Sequence, residues 1–455
     1  MTDPIENLLR QADPLPPPGE RLRLREAGGL SRAQVAAAVG VTSDTLRRWE
    51  AGETTPAGEH RATYTRLLRG LADRYPAPAA PQAPAPAQAA PVVAHSSVPE
   101  SPQARAARTA HHRHQEQRRT RTTTAEETRT GLRGRIAAAV EAELEAAGGD
   151  ADAATAALTK RAIPDVMALF ALSRKGARYE HTSYPALPPI FSKPSKREAD
   201  LIWEARPSWR RPGLRRTPDG ELTVTALDVN AAYLSALKTH LPIGRLEHAR
   251  GGEHDRKRAG VYLIDPPVWR HPTGPNPLGD REEGGPLWVT EPTMRLLLRL
   301  AGPKYRLFAA PPVVHESWTS GSTETMLDSL RQLLADARAD AIAAGDDVTL
   351  TYVKQMYAKF VSTIGESAHN REIVRPDWVH LIRSQAFANL WGRAYKAATA
   401  GLTVVSMAGT DELHVAGDWQ AVFEQGTGLS EMKVKTDPRT GEPTTYTATI
   451  TEEAR

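Results

Sequence analysis

The chain has 455 residues, 36 of them proline and none cysteine, a length that suits two or three domains. Without cysteine there is no disulfide framework, thiolate zinc site or cysteine nucleophile. The 58 Lys and Arg residues barely exceed the 54 Asp and Glu residues, so net charge alone argues only weakly for nucleic acid. No apolar run reaches the roughly 20 residues that span a bilayer, and the N-terminus lacks the pattern of a secretion signal. We therefore expect a cytoplasmic protein with no membrane partner.

The first unit predicted from the sequence is an all-α helix-turn-helix domain over residues 1–75. Residues 21–26 have helical character and end near a pair of glycines. Ser31 is a good cap for a second helix that stops at Gly40, and Thr42 can cap a third. Apolar residues in these helices recur at a spacing that turns them toward a common core.

The turn between the second and third helices carries a family pattern. Ala36 is followed four positions later by Gly40 and six positions after that by Leu46, and Arg-Trp-Glu-Ala-Gly occupies residues 48–52. This pattern resembles the Cro/repressor-like (XRE-type) helix-turn-helix family, which implies sequence-specific binding to double-stranded DNA. By that resemblance the DNA-binding residues are Arg32, Thr42, Ser43, Asp44, Thr45, Arg47 and Arg48. Arginines at such positions can equally belong to a solvated helix face.

Two less regular segments follow. Residues 76–125 are rich first in Pro and Ala and then in Arg, which predicts a disordered linker that contacts phosphates non-specifically or is simply charged and mobile. The run His111-His-Arg-His114 within it lacks further ligands at metal-site spacing. Residues 126–192 have helical periodicity and are expected to form a connector.

A strand and a hairpin, each with an aspartate, follow in the remaining part of the chain. Residues 222–228 alternate apolar and polar, so Asp228 is expected near the C-terminal end of a half-buried strand. Two short strands at 402–409 and 412–416 predict a hairpin with Asp411 at its turn.

A predicted helix at 353–362 lies between these aspartates in the chain. Carboxylates from two strands can hold a pair of Mg²⁺ ions, while a helix between them in sequence supplies a cation for an incoming triphosphate. This order is the layout of a nucleotidyl-transfer palm. A C-terminal hairpin is also predicted, from strands at 431–435 and 444–449.

Three segments in this region resemble polymerase motifs. They are Asp228-Val-Asn-Ala-Ala-Tyr233 with the later Leu241-Pro-Ile-Gly244, Met356-Tyr-Ala-Lys-Phe360, and Gly409-Thr-Asp-Glu-Leu-His-Val415. Their order and spacing are similar to motifs A, B and C of the protein-primed family B DNA polymerases. The resemblance implies an α+β palm/fingers-like domain over residues 193–455, so the whole chain is expected to be multi-domain.

The same resemblance implies roles for individual residues. Asp228 and Asp411 would bind two Mg²⁺ ions, and Tyr233 would pack under the sugar of the nucleotide. Tyr357 and Lys359 would line the nucleotide and the template. Primer–template DNA and a dNTP would then be the ligands, with a terminal protein as a further partner.

This sequence departs from the polymerase pattern at two positions. Gly409 stands where the family has the first aspartate of motif C, and Leu350 stands where it has the motif B lysine. Lys354 lies one helical turn further on and could reach the same triphosphate. Glu412 could replace the missing carboxylate if the turn reorients it, because successive strand residues point to opposite faces.

Each candidate residue also has a purely structural interpretation. Asp228 could cap the following helix, and Asp411 could be an ordinary turn residue. The tyrosines could belong to the core and the lysines to a solvated face. Lys433 and Lys435 could contact primer phosphates or lie on a surface strand.

Three functions fit these features. The first is a sequence-specific DNA-binding replication protein of a mobile element or linear replicon, with nucleotidyltransferase activity in its C-terminal domain. The second is a catalytically inactive adaptor at telomeres or origins, which the departure at Gly409 favours. The third is a helix-turn-helix transcriptional regulator, which the three polymerase-like motifs disfavour.

Overall fold

A computed structural model describes ten stretches of the chain, which fall into two compact units, residues 1–100 and 101–455. The described stretches are 15–28, 30–75, 126–175, 177–179, 186–192, 201–203, 208–271, 274–281, 284–366 and 373–451. The predicted linker at 76–125, with its histidine run, lies outside them. The domain boundaries at 75, 125 and 192 therefore stay predictions.

The described part of the first unit is helical, as predicted. Its helices are α1 Pro18–Ala27, α2 Arg32–Val39, α3 Ser43–Glu50 and α4 Gly58–Arg74. The Ser31 hydroxyl accepts a hydrogen bond from the Gln34 backbone N–H, and the Gln34 side chain accepts one from the Ser31 N–H, which makes a capping box. Gly40 ends α2 at φ +79°, a conformation that costs glycine little. The predicted caps therefore set the turn between α2 and α3.

The core of this unit joins the three predicted helices to α4. Its buried apolar side chains are Leu24, Val35, Ala36, Val39, Leu46, Trp49, Tyr64, Leu68 and Leu71. The Trp49 ring centroid lies 5.4 Å from that of Tyr64. Trp49 is therefore part of the core, and α4 supplies the other side of it.

The second unit contains both helices and strands. The helices are α5 126–146, α6 Ala151–Ser173, α7 Ala232–Ala236, α8 Glu291–Ala301, α9 Asp328–Ala344, α10 Asp347–Glu366 and α11 Pro376–Thr399. The turn between α5 and α6 falls at Gly148 and Gly149, which have φ values of +63° and +89°. The Asp150 carboxylate then caps α6 by accepting from the N–H groups of Asp152 and Ala153.

The strands of this unit form three antiparallel sheets. They are β1 Ser208–Arg210, β2 Leu214–Arg216, β3 Leu222–Val229, β4 Leu241–Pro242, β5 Glu247–Arg250, β6 Gly260–Asp265, β7 Leu287–Thr290, β8 Val313–Thr319, β9 Thr323–Glu324, β10 Thr403–Ala408, β11 Glu412–Ala416, β12 Met432–Val434 and β13 Thr445–Ile450. The largest has seven strands in the order β1-β10-β11-β3-β13-β2, with β12 also paired to β3. The other two are β5-β8-β6-β7 and the pair β4-β9. With its helices, this architecture confirms the predicted fold class, an all-α domain plus an α+β domain.

The predicted C-terminal hairpin differs from the observed pairing. A bridge between Thr436 and Pro443 closes the loop of the hairpin. The strands on either side of this loop, β12 and β13, both pair with β3. The eight-residue β3 is long enough for β12 to occupy its C-terminal half and β13 its N-terminal half. This arrangement brings Lys433 opposite Asp228.

The two faces of the seven-stranded sheet have different neighbours because strand side chains alternate. Leu227, Val229, Leu413 and Val415 belong to the main core that the helices cover. On the other face Val224, Val405, Ala416 and Ala448 form a smaller cluster. Asp228 lies on the second face, which we call the open face.

A buried ion pair joins the helices to the segment after α7. The Arg375 guanidinium donates two hydrogen bonds to Asp377, at 2.9 and 2.6 Å, and one to the Pro242 carbonyl at 2.6 Å. Both charged side chains are fully buried, and Trp378 donates to the same Pro242 carbonyl at 2.8 Å. The start of α11 is thereby fixed to β4.

Candidate functional site

The candidate site lies at the C-terminal end of β3, on the open face of the sheet. In the strand register Asp228 is opposite Glu412 on one side and Lys433 on the other. Directly opposed residues of paired strands project to the same face. The turn before β11 is joined to β3, because the Val229 N–H donates to the Asp411 carbonyl at 2.7 Å. Glu412 and Lys433 therefore flank Asp228 at one end of the sheet, and Asp411 lies in the turn beside them.

Asp228 does not cap the helix that follows it. The N-cap of α7 is Ala231, which has φ +48° and makes no side-chain capping bond. A non-glycine residue in this conformation marks a strained turn, and such turns cluster at functional sites. The capping interpretation of Asp228 is therefore wrong.

The charges of the site favour a bound cation. Burial raises the pKa of Asp228, although Lys433 opposes that effect from 3.9 Å. Partial desolvation in the turn also raises the pKa of Asp411, and the neighbouring carboxylates of Asp228 and Glu412 raise it further. Two neighbouring carboxylates repel each other when both are ionised, and a bound divalent cation would relieve that repulsion.

Glu412 has protein partners already. Its carboxylate accepts hydrogen bonds from the Lys435 ammonium and from His414, whose Nε2 lies 2.6 Å from Glu412 Oε1. Burial acts to raise the pKa of Glu412, but the bonds from Lys435 and His414 outweigh it and lower the pKa. Glu412 shares the face of Asp228, yet it is held by Lys435 and His414.

The donor set fits Mg²⁺ through two residues. Within the part of the chain that the structure describes, no three Asp, Glu or His side chains are grouped so as to hold a metal ion. Mg²⁺ in proteins is commonly bound by one or two carboxylates, with waters and substrate phosphates as the other ligands. Asp228 and Asp411 can supply those carboxylates, and Glu412 would first have to leave its partners.

We expect Asp411→Asn to raise the thermal stability of the protein at neutral pH. The pKa of Asp411 lies above its ordinary value of 3.8, so the folded state binds this proton more tightly than the unfolded state does. Stability is then lost as the pH rises through the folded pKa, and removing the charge removes that loss. Melting temperatures measured at neutral pH and below pH 3.8 should show the difference at neutral pH only. Asp418 is exposed and gives a matched control, Asp418→Asn. A lower melting temperature for Asp411→Asn than for this control at neutral pH would contradict the expectation.

The predicted residues of α10 divide between two sides of the helix. Lys354 is exposed, and its charge acts on Asp228. Lys359 lies about 140° further around the helix and donates to the Thr159 carbonyl of α6 at 2.7 Å. Lys359 is therefore not placed to line a nucleotide, because it holds α10 against α6.

The predicted tyrosines have different environments. Tyr357 is buried in the main core, where burial raises its pKa against the opposing effect of the nearby Arg338. This environment fits the interpretation of Tyr357 as a core residue. It does not fit a role in lining the nucleotide. Tyr233 lies in the first turn of α7, half-buried at the edge of the same core.

A cleft on the open face reaches Glu412. Its volume is about 520 Å³, and its lining includes Glu412, His414, Tyr446, Arg210 and Arg216. The Arg216 guanidinium lies 3.6 Å from the centroid of the Tyr446 ring. The two arginines come from β1 and β2 and were not predicted as site residues, although the run Trp209-Arg-Arg-Pro-Gly-Leu-Arg-Arg216 is a signal that could have identified them.

The predicted DNA-binding residues are mostly on the outer side of α3. Arg47 is exposed and pairs with Asp44 at 3.1 Å and with Glu53 at 2.9 Å, and Arg48 lies 3.7 Å from Glu53. Ser43 is also exposed, while the Thr42 hydroxyl caps α3 by accepting from the Thr45 N–H at 3.1 Å.

Arg32 has a different setting from the residues of α3. It extends to the buried Glu50, 3.0 Å away, which Arg25 also binds at 2.6 Å. Arg32 thus has a structural role that the sequence did not predict.

Both units resemble known proteins. A family model described as a helix-turn-helix domain matches residues 19–79, and the described residues of this range form a helix-turn-helix domain. No curated protein matches the chain. Within the described residues no helix is both long and apolar enough to cross a membrane.

Solved structures of Phi29 DNA polymerase are similar to this chain. The orthorhombic crystal form is 12% identical with a TM-score of 0.40, and the match covers 60% of this chain and 52% of the polymerase. Its complexes with primer-template DNA and with single-stranded DNA are 11% and 12% identical, with TM-scores of 0.40 and 0.41 and 51% of the polymerase covered. The chain spans about half the length of this polymerase, and a likeness at this level carries no argument about activity.

Proposed function

We propose that the chain is a sequence-specific DNA-binding replication protein that transfers nucleotides at Asp228 and Asp411. The observation that supports this most is the pair itself. Asp228 and Asp411, both with raised pKa values, lie at the C-terminal end of the central strand and in the turn joined to that end. A helix-turn-helix domain in the same chain would bring that site to a particular double-stranded DNA sequence.

In this proposal Asp228 and Asp411 would hold Mg²⁺, which would supply Lewis-acid stabilisation of the phosphoryl group. Lys354, whose charge acts on Asp228, would hold the negative charge of a nucleoside triphosphate. Tyr233 would pack under the sugar, and the cleft with Arg210 and Arg216 would take the phosphates of primer–template DNA. A mobile element or linear replicon in the cytoplasm, with a terminal protein as primer, is the setting that the motif resemblance suggests.

A second candidate function is a catalytically inactive adaptor that binds DNA ends or origins. Lys433 lies beside Asp228, and Lys435 binds Glu412, so protein cations already offset part of the negative charge. Gly409 also leaves the turn without the aspartate of the polymerase pattern. A protein of this kind would bind primer–template DNA without extending it.

Primer extension by the purified full chain distinguishes these functions. With Mg²⁺ or Mn²⁺ and all four dNTPs, the proposal predicts extension by the wild-type protein and none by Asp228→Asn. Binding of primer–template DNA without extension would support the adaptor. Binding only to a specific duplex, with neither primer–template binding nor extension, would support a transcriptional regulator.

We expect Arg47→Ala to weaken binding to the specific duplex by about 1–3 kcal/mol, as for loss of an arginine that reads a guanine. In the free protein Arg47 is exposed and held by Asp44 and Glu53, so it is available to exchange these partners for a base. Footprinting on a selected duplex measures the effect. The exposed Arg66 of α4 gives a control, Arg66→Ala, with the same loss of charge. If both variants leave the footprint unchanged, Arg47 does not read the sequence.

A further inference from the structure

A second basic surface lies on the helical side of the C-terminal unit. Two adjoining cavities of about 490 and 520 Å³ share Asn389, Gly392, Arg393 and Ser430, so together they form one elongated groove. Val229 lines it. Because adjacent strand residues project to opposite faces, Val229 and Asp228 point away from each other. The groove is therefore separate from the carboxylates and from the cleft on the open face.

The groove is strongly cationic. Its charged lining residues are Lys238, Arg299, Arg331, Arg393, Lys396 and Glu424. Five of these six side chains are cations, and only Glu424 is acidic. Arg331 is paired with Asp328 at 2.6 Å. Lys238 and Arg299 are exposed, and the described part of the structure contains no ion pair for either of them.

The guanidinium of Arg393 lies in the wall of the groove and is bonded to backbone carbonyls. It donates to the carbonyls of Ser430 and Leu429, at 2.9 and 3.1 Å. Burial lowers its pKa, because the charged form lacks water. No described carboxylate lies in ion-pair contact with Arg393, so a bound anion would stabilise its charge.

The remaining lining determines which anion fits. Small residues, including Ala232, Ser235, Ala386 and Gly392, let a ligand backbone approach closely. The one aromatic residue among the described lining residues of the two cavities is Phe423, and it is buried. The groove therefore lacks the stacking platforms that hold bases. An extended polyanion held by its phosphates suits this surface.

We propose that the groove binds single-stranded DNA through its phosphates, independently of base sequence and of nucleotide transfer. A channel that continues across both cavities suits an extended chain better than a single phosphate. A single strand is flexible enough to follow the groove, whereas a duplex is stiff over this length. The helix-turn-helix domain already provides for a duplex.

The test is the salt dependence of oligodeoxythymidylate binding to the full chain, followed by fluorescence anisotropy. Each phosphate contact with a single strand contributes about 0.7 to the slope of log K against log salt. The triple variant Lys238→Ala/Arg299→Ala/Lys396→Ala should therefore reduce the slope by about 2 and weaken binding at least tenfold at low salt. The Lys396 ammonium also bonds the Val422 carbonyl at 2.7 Å. The double variant Lys238→Ala/Arg299→Ala keeps Lys396 and this bond, so it is safer for folding. It should reduce the slope by about 1.4.

A matched control removes three exposed cations from another part of the same unit, as Arg245→Ala/Arg250→Ala/Lys257→Ala. The proposal predicts that the control keeps the wild-type slope and that the groove variants keep wild-type binding to the specific duplex. Equal slopes for the groove and control variants would overturn it. Equal competition by duplex DNA that lacks the specific site would also overturn it. Because no nucleotide or metal is added, these results do not depend on whether the protein extends primers.

Discussion

Asp228→Asn and Asp411→Asn should each reduce nucleotide incorporation by at least about 100-fold, the loss typical of removing one electrostatic contact to the transition state. Both substitutions remove a ligand charge and preserve side-chain size. Glu412→Gln should have a much smaller effect, because Lys435 and His414 already hold that carboxylate. The three residues are close in space, so position alone does not predict which substitution matters most. The predicted order of sensitivity follows from the hydrogen bonds that hold Glu412.

Single-turnover incorporation of one labelled dNTP measures this order. Circular dichroism gives the control for folding of the C-terminal unit, and binding of the specific duplex, which depends on the N-terminal unit, should be unchanged in all three variants. An equal loss in Glu412→Gln and Asp228→Asn would mean that Glu412 leaves its partners to act with the aspartates. Incorporation that persists in both aspartate variants would remove these residues from the mechanism.

Arg375→Ala should lower the free energy of unfolding of the C-terminal unit by about 3–5 kcal/mol, the cost of breaking a buried ion pair. The substitution leaves Asp377 fully buried without its cation and removes a donor from the Pro242 carbonyl. The paired substitution Arg375→Met/Asp377→Leu removes both charges together. It should therefore recover a large part of the loss.

Urea denaturation followed by circular dichroism measures both variants. Arg245→Ala is a suitable control because Arg245 is exposed, and a change within about 0.5 kcal/mol is expected there. A loss below about 1 kcal/mol in Arg375→Ala would show that water or a neighbouring group compensates Asp377. It would also mean that the link between α11 and β4 contributes little to stability.

Local signals in the sequence were sufficient for much of the fold. Ser31, Gly40 and Thr42 act within one turn of their own positions, and the capping bonds they make are the ones expected from their residue types. The alternation of residues 222–228 likewise reports a strand with one buried face, which the structure has as β3. Patterns of this kind depend on near neighbours in the chain, so they can be recognised without a structure.

Contacts between distant segments could not be predicted in the same way. The pairing of both β12 and β13 with β3 depends on the length of that strand and on its neighbours. That pairing is what places Lys433 beside Asp228. The bonds of Lys359 to α6 and of Arg32 to Glu50 also join separate elements. For such residues the sequence gives a type and a helix position but no partner.

The most direct test of the proposed site is Mn²⁺ binding, measured by electron paramagnetic resonance on the wild-type protein and on Asp228→Asn/Asp411→Asn. Mn²⁺ takes the same carboxylate and water ligands as Mg²⁺, and the measurement needs no primer, template or priming partner. We predict that the wild-type protein binds Mn²⁺ and that the double variant loses this binding while it still binds the specific duplex. Equal Mn²⁺ binding by the two proteins, or none by the wild-type protein, would contradict the assignment of Asp228 and Asp411 as the metal ligands.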